Sequence, residues 1–103
     1  MKIKILESAI EDLNRGRQFY AALGKEVGEY FLDSLFSDID SLLLYAGIHQ
    51  KVFGYHRLLS KRFPYAIYYL VEGEVTIVYR VLDLRRSPDT IRTSLLRADQ
   101  SEP

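Results

Sequence analysis

Two runs rich in aromatic and branched residues flank the dipeptide Glu72-Gly73: Tyr65 to Val71 before it and Glu74 to Leu82 after it. Such runs favour strands. A two-residue connection in which glycine supplies a positive φ closes them into a hairpin. The hairpin limits the possible folds, because every other element must join this sheet or cover it. Tyr55 to Leu59 reads as a third strand, followed by a turn over Ser60 to Arg62. Pro64 suits the first residues of a strand or an edge, since it cannot donate to a ladder. At the other end of the chain Lys2 to Leu6 alternates, with Ile3 and Ile5 on one side and Lys2 and Lys4 on the other, the pattern of a short half-exposed strand.

The segment between these strands is helical. Ser8 and Glu11 have capping-box spacing, and Ile10, Leu13, Tyr20 and Leu23 fall on one face, with the stem of Arg17 alongside. Gly24 is the expected C-terminal cap. Val27, Phe31, Leu35, Ile39, Leu42 and Ala46 then keep a buried-stripe spacing, opposite Glu29, Asp33, Ser37 and Asp40. A helix from Lys25 to Ala46 would be ~33 Å long, and the break at Gly24 folds the two into an antiparallel hairpin. Gly47 to Gly54 is read as a loop with Val52 and Phe53 tucked inward. Pro88-Asp89 opens a short tail of one or two helical turns, and Asp99 to Pro103 is expected to fray. The expected fold is α+β: an N-terminal strand, an antiparallel helical hairpin, then a three-stranded antiparallel meander forming one sheet packed on the helices. Residues 1–98 make a single domain and 99–103 a tail.

The 103 residues suffice for one domain and are too few for two. Cysteine is absent, which excludes disulfides, Cys-based zinc sites and thiol nucleophiles. Neither a signal peptide nor a run of the ~20 apolar residues that span a bilayer is visible, so a cytoplasmic protein without membrane contact is expected. The net charge is zero but unevenly placed. Acidic residues predominate up to Ala46 and basic ones from Gly47 to Ala98, so a basic face can be offered to an acidic partner.

The order Lys61-Arg62-Phe63-Pro64-Tyr65-Ala66-Ile67-Tyr68-Tyr69, a hairpin, then Arg80-Val81-Leu82-Asp83-Leu84-Arg85-Arg86-Ser87-Pro88 places a basic entry and a basic exit on two adjacent strands. It resembles the RelE/ParE toxins of bacterial type II toxin–antitoxin (plasmid stabilisation) systems, and the preceding helical half fits as well. The resemblance implies a cognate antitoxin as partner, in this family a disordered tail that folds over the toxin. It also implies no cofactor, and either DNA gyrase or the ribosome as target. Direct sequence-specific DNA binding by this chain is not expected.

The partner-binding set is Arg57, Lys61, Arg62, Arg80, Arg85 and Arg86. Relatives that cleave messenger RNA use such basic residues to hold the scissile phosphate; here Arg57, Arg80 and Arg85 would be the weak catalytic candidates, and a solvated rim of ion pairs is the plain alternative. Those relatives carry an arginine just after the tyrosine that opens the third strand, where this chain has Ala66. They also carry a tyrosine or histidine near the C-terminus, which the stretch Asp83 to Arg92 lacks. Asp83 stands where many members have histidine; beside Arg85 and Arg86 it is expected to be a stabilised anion and a poor base. His49 and His56 are the remaining proton carriers, and nothing in the sequence fixes them within reach of one another. No grouping has metal-ligand spacing. The expectation is therefore a ParE-like toxin that does not cleave RNA, with a ribosome-dependent endoribonuclease and a non-toxic binding module as alternatives.

The faces of the sheet stay open. A regular two-residue turn puts Tyr65, Ile67 and Tyr69 with Thr76, Val78 and Arg80, and Ala66, Tyr68 and Leu70 with Val75, Ile77 and Tyr79. The second face is the more apolar, which sends it to the helices; the family resemblance instead leaves the Ala66 face open. One bulge would swap them.

Overall fold

The computed structural model describes residues 1–99, so the tail expected over 99–103 lies, beyond Asp99, outside the described residues. The chain runs β1 (Lys2–Ile5), α1 (Glu7–Ala21), α2 (Lys25–Asp40), a short α3 (Leu42–Tyr45), β2 (Lys51–Val52), β3 (Tyr55–Leu59), β4 (Tyr65–Glu72), β5 (Val75–Asp83) and α4 (Pro88–Asp99). The sheet order is β1-β5-β4-β3-β2. The meander β3-β4-β5 is antiparallel as expected, whereas β1 joins β5 in parallel, Lys2 beside Val75 and Ile5 beside Val78.

The α+β architecture read from the sequence is present, with three layers. Phe31, Leu35, Ile39 and Leu42 pack with Leu13, Tyr20, Tyr65, Ile67, Tyr69, Val78 and Val81 between the helical hairpin and one sheet face. On the other face Ile91 and Leu95 of α4 pack on Tyr55, Ala66, Tyr68 and Leu82. The tail expected to make one or two turns is thus a full helix. Its spacing of Ile91, Leu95 and Ala98 is one helical stripe, and all three are buried.

The pattern reading of the sheet faces fails, and the resemblance holds in keeping the Ala66 face away from the helical hairpin but not in leaving it open. The Tyr65 face meets α1 and α2, and the Ala66 face lies under α4. The reason is the bulge: Tyr69 pairs with Val78 but Tyr68 pairs with Arg80. Tyr79 is the extra residue, so Val78 and Val81, three apart, face the same core. The hairpin turn itself is Gly73-Glu74, with Glu72 paired to Val75, one residue later than expected.

Three local expectations need correction. Helix α1 begins at Glu7 without a side-chain cap, and Ser8 Oγ donates instead to the carbonyl of the bulged Tyr79 at 2.8 Å. Its buried stripe is Ala9, Asp12, Leu13, Gly16 and Tyr20. Ile10 is 45% and Leu23 74% exposed, so the helix is rotated from the expected phase. Gly16 lies on the buried stripe, where a Cβ would lie 2.5 Å from the Phe31 ring, so glycine there makes room for that ring. Finally, the loop at 47–54 contains β2, which pairs Val52 with Tyr55 across a Phe53-Gly54 turn. Phe53 holds φ 55° and stays 44% exposed instead of tucking in.

Candidate functional site

The β3–β4 and β5–α4 loops meet at one end of the sheet. Tyr65 pairs with Asp83, and the Leu84 N–H donates to the Pro64 carbonyl at 2.8 Å. Asp38, buried on α2, accepts from Ser60 Oγ at 2.7 Å and from the Lys61 N–H at 3.4 Å, which fixes the first loop against the helices. The sequence offered one signal for Asp38: a charge beside Leu35 and Ile39 on a helix that buries them.

The structure separates the six cations named from the sequence into two groups. Arg80 is committed inside the protein. Its Nε donates to Asp12 at 2.7 Å, its Nη2 to the other Asp12 oxygen at 2.8 Å, and its Nη1 to the Ser94 carbonyl of α4 at 2.9 Å. The Asp12 hydrogen bonds hold the Arg80 guanidinium above its ordinary pKa. Asp12, which the sequence reading passed over, also accepts from the Val81 N–H at 3.0 Å and from Arg15. Arg85 is paired as well: its Nε and Nη2 donate to Asp83 at 2.9 and 2.8 Å, and it lies 5.6 Å from the centre of the Phe19 ring. Arg57, Lys61, Arg62 and Arg86 have no ion-pair partner among the described residues. Lys61 and Arg62 sit on the first loop and Arg86 on the second, so three unpaired cations share this end of the molecule. Arg57 is further along β3, opposite Tyr68.

A cleft of about 320 Å³ opens here between α1 and the sheet, lined by Arg15, Gly16, Phe19, Tyr65, Asp83 and Arg86, among others. It offers little proton chemistry. The hydrogen bond from Arg85 holds the Asp83 carboxyl below the usual range, which makes it a weak base. Burial, reinforced by the Asp83 charge, pushes the Tyr65 phenol up. Ala66 is wholly buried within β4.

The two histidines, which nothing in the sequence fixed within reach of one another, come together away from this cleft. His56 Nδ1 donates to the His49 carbonyl at 2.6 Å, and the His56 ring stacks on Tyr69 with 5.1 Å between centres. His49 Nδ1 and the Tyr69 hydroxyl are hydrogen-bonded, and that hydroxyl also accepts from the Gly47 N–H at 2.9 Å. Burial, then the neighbouring His56, pulls the His49 pKa down. The cluster fastens the loop after α3 to the sheet. No group of three or more metal-ligating side chains occurs among the described residues, and none of the described helices is long and apolar enough to cross a membrane.

Residues 3–88 match the sequence model for the ParE toxin of the type II toxin–antitoxin system parDE. A solved structure, "Chromosomal ParDE TA system from P. aeruginosa", superposes with a TM-score of 0.75 over 82% of this chain and 96% of that one. At 22% identity the likeness is one of fold. No curated protein matches the sequence.

Proposed function

We propose that this chain, which belongs to the ParE toxin family of type II toxin–antitoxin systems, arrests growth through DNA gyrase in the cytoplasm, does not cleave RNA, and is neutralised by a cognate antitoxin. The observation that carries this reading is the commitment of Arg80 and Arg85 to carboxylates. An endonuclease of the alternative kind would need both to hold a phosphate, yet Arg80 is enclosed by Asp12 and Ser94 and Arg85 is forked onto Asp83. A phosphate-cleaving site without a charge stabiliser and a proton carrier lacks factors each worth ~10²–10⁴ in rate. What stays open to a partner is the loop end bearing Lys61, Arg62 and Arg86, which suits recognition of an acidic surface better than catalysis.

Induction in a host without the antitoxin tests this. The expected result is filamentation and DNA damage, loss of gyrase supercoiling by the purified protein, and intact transcripts. The double variant Arg85→Ala/Arg86→Ala is expected to weaken the arrest. Codon-specific cleavage of ribosome-bound messenger RNA within minutes, abolished by Arg57→Ala, would replace this reading with the endonuclease.

A further inference from the structure

A second groove, again of about 320 Å³, lies on the α4 side of the sheet. Val52, Leu84, Pro88 and Ile91 form its apolar walls, and Arg57 and Arg86 are the charged residues that line it. No carboxylate does, and neither guanidinium has an ion-pair partner among the described residues. Arg57 stands opposite Tyr68 on the neighbouring strand, and the Tyr68 ring is itself buried and also lines the groove. The last wall is Phe53. Its ring is presented by a turn that holds φ at 55°, a conformation unfavourable for a bulky aromatic, and it remains 44% exposed. Strain retained to keep an aromatic side chain at the mouth of an apolar groove marks a recognition feature, and aromatic and arginine side chains are the ones that dominate interfaces.

The chemistry selects the occupant. Two guanidiniums in a groove with no carboxylate in its lining favour an anionic ligand. Six apolar or aromatic walls disfavour a nucleic-acid backbone, which is held by many cations along a polar track. We propose that the groove seats an extended segment of a partner polypeptide in which a large apolar side chain is flanked by carboxylates. The apolar side chain packs between Phe53 and Ile91, and the carboxylates pair with Arg57 and Arg86. This rests on the reading that an acidic protein partner meets the basic half of the chain, and adds where that partner anchors and by which side chains.

The test is a methyl-labelled NMR titration of the whole protein, which does not depend on toxicity and so separates this inference from the gyrase reading. The probes are acetyl-Glu-Leu-Glu-Phe-Glu-amide, the same peptide with Gln for each Glu, and oligothymidylate. The Glu peptide is expected to give saturable shifts of the Val52, Leu84 and Ile91 methyls and to leave Leu35 and Ile39, in the other layer, unmoved. Affinity should fall at least tenfold for the Gln peptide and for Arg57→Gln and Arg86→Gln, both of which should keep the wild-type spectrum elsewhere. Equal binding of the Gln peptide, saturation of the same methyls by oligothymidylate at lower concentration, or no shift at millimolar peptide would each overturn the proposal.

Discussion

Arg80 was a candidate for function from the sequence and is an internal tie in the structure, and these roles predict opposite results when it is replaced. Its side chain is 12% exposed and that of Asp12 4%. Arg80→Met leaves the Asp12 carboxylate with only the Val81 N–H and Arg15, and frees the Ser94 carbonyl of α4. Breaking a buried pair by removing one partner costs ~3–5 kcal/mol, a large part of the ~5–15 kcal/mol that holds a domain together. At roughly 4–8 °C per kcal/mol for this chain length, Tm should fall by tens of degrees. Replacing both partners by apolar residues, Asp12→Leu with Arg80→Met, should recover part of the loss because no buried charge is left behind, the remainder being the ~1–3 kcal/mol cost of the Val81 N–H that loses its acceptor. The control is Arg85→Ala: Arg85 is 51% exposed, and a surface pair is worth ~0–1 kcal/mol. Urea titrations of the four proteins decide the matter. Equal, small losses for Arg80→Met and Arg85→Ala, with no recovery in the double variant, would refute the internal tie.

Leu35 is fully buried and Asp33 exposed on the same helix, so Leu35→Ala should cost ~2–5 kcal/mol and Asp33→Ala less than ~0.5 kcal/mol by the same titration. His49 gives a pH signature. Because its pKa is lower in the folded protein, its contribution to stability is complete above the unfolded value of ~6.5 and is lost as pH falls through the folded value. Tm measured from pH 7.5 down to pH 5 should therefore fall less steeply for His49→Gln than for wild type, and identical slopes would count against the cluster.

The fold was legible where side-chain pattern alone decides it. The stripe from Phe31 to Leu42 and the aromatic run Tyr65 to Tyr69 are buried on any plausible packing, so period and composition sufficed. The misreadings arose where one residue alters the phase. Gly16 carries no hydrophobic signal, yet the Phe31 ring of α2 closes on that face of α1, while Ile10 and Leu23 stay exposed. Tyr79 looks like any strand residue, and only the registers on either side show it to be the extra one. The basic residues of the candidate site could be listed from the sequence, but their availability could not. Asp12, 68 residues from Arg80, decides that Arg80 is enclosed, and local spacing says nothing about such a pair.

The parallel pairing of β1 with β5 has a consequence in time. Strand β1 finds its partner only after Val78 has emerged from the ribosome, and the Ala66 face is covered only when α4 follows. Until then a nascent chain carries a helical hairpin with one sheet edge missing and an aromatic face uncovered. Contacts this distant along the chain form slowly, and incompletely closed sheets of this kind are the ones that chaperones and binding partners meet. A chain built this way completes its sheet and its second core layer only after α4 has been made, which leaves a co-expressed partner that interval of translation in which to reach it.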